Sequence, residues 1–259
     1  MAYKPFDLTG RVALVTGGNR GIGLGMASAL AQAGADIVIW GSNAERNQAA
    51  EVELLQHGTR VKAQVVDVSR EDQVREGFEE AVAALGRVDS VFANAGVGYG
   101  VQPFATASTD DYRKTLAVNL DGVFFTFREA CRHMIARANG GDPGGSIVGI
   151  ASLAAIEGAA RNQAYAATKG AVISLMKSVA VEHARYGVRA NAILPGWIAT
   201  DMTQGAQDNA AFAEKVIPRV PARRWGQPGD FGGVAVYLAS EASGYHSGDT
   251  FVIGGYSIF

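Results

Sequence analysis

Short β-branched runs alternate with longer helical patterns along the whole chain, and this alternation restricts the fold more than any other feature. The strand-like runs are Val12–Thr16, Ile37–Trp40, Val61–Val66, Ser90–Asn94, Ser146–Ala151, Ala190–Leu194 and Thr250–Ile253. Helical patterns lie between them, near 22–33, 44–56, 70–85, 109–137, 163–186 and 229–240. Strand–helix alternation predicts an α/β fold, a doubly wound parallel sheet of seven strands with helices on both faces. No linker, repeat or low-complexity segment interrupts it, so 1–259 reads as a single domain. Residues 201–228 break the rhythm. That stretch is long and of mixed polarity, which predicts a substrate lid within the domain.

Bulk properties exclude several classes of function. The net charge is -2, with no basic patch, so no nucleic-acid partner is expected. Cys131 is the single cysteine, which precludes an internal disulfide and fits a reducing compartment. The first residues, MAYKPFDLTG, contain no apolar signal core, and no apolar run reaches membrane-spanning length. A soluble cytoplasmic protein with no membrane partner is expected. His57, His133, His183 and His246 show no metal-ligand spacing, so no metal is expected.

The first strand runs into Thr16-Gly17-Gly18-Asn19-Arg20-Gly21-Ile22-Gly23 and then a helical pattern. Glycine in such a turn permits a tight bend and lets the backbone approach a pyrophosphate. The following helix N-terminus faces the phosphates with free N–H groups. A Rossmann-type dinucleotide site is therefore expected, although the spacing is GxxxGxG rather than GxGxxG. Asn94-Ala95-Gly96 and Asp67-Val68 end the fourth and third strands. Both fall at the carboxyl edge of the sheet, where ligands bind. Asp67 also reads as a cap for the next helix.

Tyr165 and Lys169 are spaced i, i+4, which puts them on one face of a helix. An ammonium beside a phenol favours the phenolate and is expected to lower its pKa. Tyr165 then becomes a proton donor or acceptor for catalysis, with Ser152 upstream.

Taken together, these residues resemble the classical short-chain dehydrogenase/reductase family over nearly the whole chain. Thr16-Gly17, Gly21 and Gly23 look like its cofactor turn, and Asn94-Ala95-Gly96 like its fourth-strand motif. Asn119, Ser152, Tyr165 and Lys169 match its catalytic tetrad in order. Pro195, Gly196, Ile198 and Thr200 look like the segment that meets the nicotinamide. The resemblance implies an NAD(P)-dependent oxidoreductase that moves a hydride between nicotinamide and a ketone or secondary alcohol. Tyr165 would be the general acid/base and Ser152 would hold the carbonyl oxygen. Lys169 would bind the nicotinamide ribose, and Asn119 would hold a water. The sequence departs from the family pattern at Ala93, Ala151 and Ile253. Residues 132–145 look longer than usual, suggesting a surface insertion.

Cofactor choice turns on the end of the second strand, where a carboxylate on the adenosine ribose normally selects NAD. Gly41 stands at that position. Arg20 can pair with a 2′-phosphate, Ser42 and Asn43 can donate hydrogen bonds, and Arg46 is a second charge. NADP(H) is therefore favoured, with NAD(H) the alternative, and a carboxylate at Gly41 is expected to shift preference toward NAD. Ser42 with Glu45 also reads as a capping box.

Val97, Gly98, Tyr99, Leu153, Ala154, Trp197 and Met202 are expected to form a mostly apolar substrate pocket, suited to a ketone or secondary alcohol with hydrophobic flanks. Glu157 and Arg161 are polar candidates beside it. The family resemblance also admits a gluconate-like sugar acid or a 3-oxoacyl carrier. Arg128, Arg132 and Arg137 are the candidate docking charges for an acidic carrier. A reading of another class is a non-catalytic dinucleotide sensor. A homo-oligomer, a tetramer by resemblance, is expected, with the apolar end Tyr256-Ser257-Ile258-Phe259 contributing.

Overall fold

The computed structural model describes residues 3–99 and 101–255. The C-terminal Tyr256–Phe259, expected to contribute to assembly, lies outside them. The strands are β1 (Val12–Thr16), β2 (Asp36–Gly41), β3 (Val61–Val65), β4 (Ser90–Ala93), β5 (Gly145–Ile150), β6 (Val188–Pro195) and β7 (Thr250–Ile253). They form one parallel sheet in the order β3-β2-β1-β4-β5-β6-β7. Among the described residues ten α-helices accompany them: α1 (Gly21–Gln32), α2 (Ala44–Leu55), α3 (Glu71–Leu85), α4 (Thr109–Leu116), α5 (Gly122–Asn139), α6 (Ala154–Glu157), α7 (Gln163–His183), α8 (Gln204–Gln207), α9 (Ala210–Val216) and α10 (Gly232–Ala239).

The central strands are apolar on both faces because both are covered. Alternate side chains enter opposite layers. Val12, Leu14, Val38 and Trp40 join one core with Phe78 of α3, Phe127 and Met134 of α5 and Met176 of α7. Ala13, Val15, Ile37 and Ile39 join the other with Met26 and Leu30 of α1, Leu54 of α2 and Leu238 of α10. At the amino edge, buried Asp89 accepts from the Val12 N–H at 2.9 Å and from Arg87 at 2.6 Å.

Chain order reverses between β1 and β4. The chain builds outward from β1 to β3 on one side, then returns to β4 on the other. Their carboxyl ends diverge at this point and open a crevice.

Two expectations change. The helix expected over 109–137 is not uniform: a π-helical turn at Ala117–Asp121 separates α4 from α5. Hydrophobic periodicity is blind to such a turn, since it shifts the register by one residue only. The expected insertion before the fifth strand is mostly helix, because α5 runs on to Asn139 and Asp142 pairs with Arg137 at 2.9 Å.

Candidate active site

The turn after β1 is closed by side chains from β4. The Thr16 hydroxyl accepts from the Asn94 and Ala95 N–H groups at 3.0 and 2.9 Å. Asn94 Nδ2 donates back to the Thr16 and Gly17 carbonyls at 2.9 and 3.2 Å. Gly17 adopts φ +62, and a Cβ at Gly23 would collide with the Gly17 carbonyl and lie 2.6 Å from Asn94 Nδ2. The glycines thus let β1, α1 and β4 meet at one point. Asn94 acts as a clamp on the turn, and Gly23 packs beneath it rather than facing a ligand.

A crevice of about 550 Å³ opens above this point. It runs from Gly41, Ser42, Asn43 and Arg46, past Gly17, Asn19, Arg20, Gly21 and Ile22, to Pro195, Gly196, Ile198 and Thr200. Asp67, Val68, Asn94, Ala95, Gly96, Ser152, Tyr165 and Lys169 also line it. Its size lies within the range of cofactor sites. A dinucleotide fits this lining: a glycine cradle at a helix N-terminus at its middle, basic residues at one end and titratable groups at the other.

Three of the expected catalytic groups meet at the far end. Lys169 is fully enclosed, and its Nζ donates to the Ile150 carbonyl at 2.7 Å. Burial pulls its pKa down to about 8. The same Nζ sits over the Tyr165 ring, 5.5 Å from its centroid. Burial raises the Tyr165 pKa, and the hydrogen bond with Ser152 opposes this only in part. In the free protein burial outweighs the lowering expected from Lys169. The ammonium addresses a carbonyl and the ring face, and desolvation dominates.

Asn119 lies next to this group. It sits in the π turn, fully buried, with Oδ1 accepting from the Val97 N–H and Nδ2 donating to the Val97 carbonyl, both at 2.8 Å. Its side chain does not line the crevice. It holds the loop after β4 in place. Gly96 lies between Asn119 and Lys169: a Cβ there would be 3.4 Å from Asn119 Oδ1 and 3.5 Å from Lys169 Nζ.

At the opposite end, Asn43 rather than Ser42 caps α2, its Oδ1 accepting from the Arg46 N–H at 2.8 Å. Asp67 accepts from the Ser69 N–H and hydroxyl, at 3.0 and 2.7 Å, and closes the turn into α3. The floor is Gly41, whose carbonyl accepts from Asn47 Nδ2 at 2.9 Å, while Asn19 Nδ2 donates to Asn47 Oδ1 at 2.7 Å. A Cβ on Gly41 would fall inside contact distance of both Asn19 and Asn47. Gly41→Asp is therefore not a clean way to invite NAD. It should destabilise the fold by about 1–3 kcal/mol, the usual cost of overpacking. Chemical denaturation measures this, and an unchanged midpoint would show that the asparagine pair yields freely.

Of the expected substrate residues, Val97, Tyr99 and Met202 line the crevice. Gly98, Leu153, Ala154 and Trp197 do not, nor do Glu157 and Arg161. Leu153 is buried against Gly196 and Gly254. Trp197 packs edge-on against Phe212 and Trp225, with centroids 5.0 and 5.9 Å away, and so ties down the segment 201–228. Asn47, Asp201 and the Thr16 clamp had no sequence signal, because their roles depend on partners far away in the chain.

Elsewhere, Cys131 is a buried thiol whose pKa is pushed up to about 12. Among the described residues no cluster of His, Cys, Asp and Glu could hold a metal, and no helix is long and apolar enough to cross a membrane.

A strand order with a switch point, a glycine cradle and a half-buried tyrosine over a buried lysine beside a serine define a nucleotide-linked oxidoreductase, and comparisons with known proteins agree. The family model described as Enoyl-(Acyl carrier protein) reductase matches residues 17–257. Gluconate 5-dehydrogenase of Gluconobacter oxydans is 36% identical over 96% of this chain and 95% of its own. A 3-oxoacyl-acyl-carrier-protein reductase of Chlamydia pneumoniae is 36% identical over 96% of this chain and 97% of its own. The crystal structure of a gluconate 5-dehydrogenase from Burkholderia cenocepacia, in complex with NADP and tartrate, is 39% identical. It superposes with a TM-score of 0.92 over 98% of each chain. The chain belongs to the short-chain dehydrogenase/reductase family. It is an NAD(P)-dependent oxidoreductase that interconverts a carbonyl and an alcohol.

Proposed function

We propose that the protein is an NADP-preferring reductase of a keto sugar acid, running in reverse as a dehydrogenase of the hydroxy acid. The observation that carries the reaction is the meeting of Ser152, Tyr165 and Lys169 at one end of a crevice whose middle is the glycine cradle. The bound nicotinamide supplies or accepts the hydride. Gly17, Asn19, Arg20, Gly21 and Ile22 would hold the phosphates, and Asp67, Val68, Asn94, Ala95 and Gly96 would flank the adenosine half. Pro195, Gly196, Ile198 and Thr200 would flank the nicotinamide. Tyr165 would give its phenolic proton to the carbonyl oxygen, or remove it from the alcohol. Ser152 would hydrogen-bond that oxygen and fix its orientation. Lys169 would bind the ribose and, from over the ring, favour the phenolate once the proton has left. Asn119 would position the Val97 segment.

Sugar acids are supported by the gluconate-acting relatives. The similar acyl-carrier reductase favours a second reading. Against it, the candidate docking arginines are engaged: Arg128 with Glu71 at 2.5 Å, Arg132 with Glu129 at 2.8 Å, and Arg137 with Asp89 at 3.3 Å. A panel of keto sugar acids, small apolar ketones and 3-oxoacyl thioesters, each with NADPH and NADH, separates the readings. Highest kcat/KM on the sugar acids supports the proposal. Preference for the thioesters moves the assignment to fatty-acid chemistry, and turnover of none supports the sensor.

The segment 201–228 forms a 3-10 turn at Asp201–Thr203, then α8 and α9. As a substrate lid it would close over the carbonyl end, where half-exposed Met202 lines the crevice. Met202→Ala or Phe212→Ala should then reorder kcat/KM among ketones of different size while cofactor affinity stays nearly constant. An unchanged ranking would contradict the lid.

A homotetramer would cover the exposed Phe124 on α5 and Val181 on α7, at 45% and 83% exposure. Light scattering at micromolar protein should show a multiple of 27.0 kDa; a clean monomer would end this proposal.

A further inference from the structure

The crevice holds a charged contact that the sequence did not announce. Arg20 Nη1 lies 2.6 Å from Asp201 Oδ2, and Arg46 Nη1 lies 3.7 Å from the same oxygen. Arg20 is the N-cap residue of α1, and Arg46 lies in the first turn of α2. The three side chains come from two βα junctions and from the first residue of the segment after Thr200. All three line the crevice beside Ser42 and Asn43.

We infer that Asp201 is a built-in competitor for the cofactor's 2′-phosphate and that this contact latches the start of the lid. The inference rests on the reading of Arg20 and Arg46 as the 2′-phosphate site. A carboxylate shared by two guanidinium groups mimics the anion those groups would bind. Asp201 and Asp67 are the carboxylates among the residues lining the crevice. Asp67 already accepts from Ser69, at the turn into α3. Asp201 therefore supplies the negative charge missing from Gly41, but from the lid instead of β2.

The consequence is a cofactor-dependent choice. A 2′-phosphate cannot share the two arginines with Asp201 without like-charge repulsion, so NADP(H) exchanges one anion for the other and releases the turn Asp201–Thr203. Met202, next in the chain, lines the crevice and moves with that turn. NAD(H), with a neutral 2′-hydroxyl, leaves the ion pair in place. Asp201 thus determines selectivity by lowering NADP(H) affinity while tying phosphate recognition to the lid. Because the pair is exposed on both sides, salt should weaken it.

The test is Asp201→Asn, which keeps the shape and removes the charge at an exposed position. Binding of NADPH, NADH and 2′,5′-ADP is measured for the wild type, for Asp201→Asn and for Arg20→Ala. The expected result is a gain of about five- to tenfold for NADPH and 2′,5′-ADP in Asp201→Asn, with less than twofold change for NADH. That gain should shrink as ionic strength rises. In the wild type, 2′,5′-ADP should speed amide exchange in Asp201–Thr203, and 5′-ADP should not. If Arg20→Ala weakens NADPH but Asp201→Asn leaves it unchanged, the competitor role is wrong and the phosphate site stands. If Arg20→Ala leaves NADPH unchanged, the phosphate site itself is wrong and the inference falls with it. Weaker NADH binding in Asp201→Asn would instead make Asp201 a ribose ligand and overturn the proposal.

Discussion

Tyr165→Phe is expected to fold and bind cofactor normally while turnover drops by about 10²-fold or more, the scale of proton-transfer catalysis. Only a hydroxyl is removed, from a residue enclosed between Ser152 and Lys169. The sign of the pH dependence follows from burial. Desolvation favours the neutral phenol, so the Tyr165 pKa lies above its ordinary value in the free protein. With Tyr165 as the proposed general acid, reduction would use the phenol and should hold its rate across neutral pH. Oxidation would use the phenolate and should rise with pH. Lys169 titrates near 8, and the buried ammonium loses its proton above that pH. In the folded state its pKa is depressed, so burying Lys169 costs stability at neutral and acidic pH. That cost fades as pH climbs from about 8 toward 10.5. Near-normal turnover by Tyr165→Phe, or an oxidation rate flat between neutral and alkaline pH, would contradict this assignment.

Replacing both Arg20 and Arg46 with Ala is the second large effect. A hydrogen bond to a charged group contributes about 1.5–3 kcal/mol, so removing both donors should cost NADPH affinity about 10²-fold or more. NADH should lose little, since its adenosine ribose carries no phosphate. The proposed preference of kcat/KM for NADPH should therefore invert or vanish in the double variant. An equal loss for both cofactors would mean that the arginines serve the pyrophosphate or the fold, not the 2′-phosphate.

The centre of the sheet was legible because its strands are buried on both faces. Val12–Thr16 and Thr250–Ile253 emerge with the expected bounds, since continuous β-branched runs between turn signals have few alternatives. The glycine turn was legible for a related reason: its residues answer to local backbone demands. What stayed hidden depends on distant partners. Nothing near Asn119 in the chain signals that Val97 takes both ends of its amide. Nothing in the i, i+4 spacing of Tyr165 and Lys169 reveals that the ammonium reaches the Ile150 carbonyl and that burial outweighs attraction. Gly41 illustrates the same limit. The missing carboxylate was visible, but the two asparagines that leave no room for one were not. Asp201 sits one residue beyond a recognisable motif, and its meaning comes from two arginines roughly 155 and 180 positions away.

The most direct test of the central claim follows the transferred hydrogen itself. NADPH carrying deuterium at the reactive face of its nicotinamide is incubated with a keto sugar acid and the wild-type enzyme, and the product is examined by mass spectrometry and NMR. The account predicts one deuterium on the carbinol carbon for each NADPH consumed, and product forming about 10²-fold more slowly in Tyr165→Phe. Tight NADPH binding with no deuterium delivered to any ketone of the panel would contradict it.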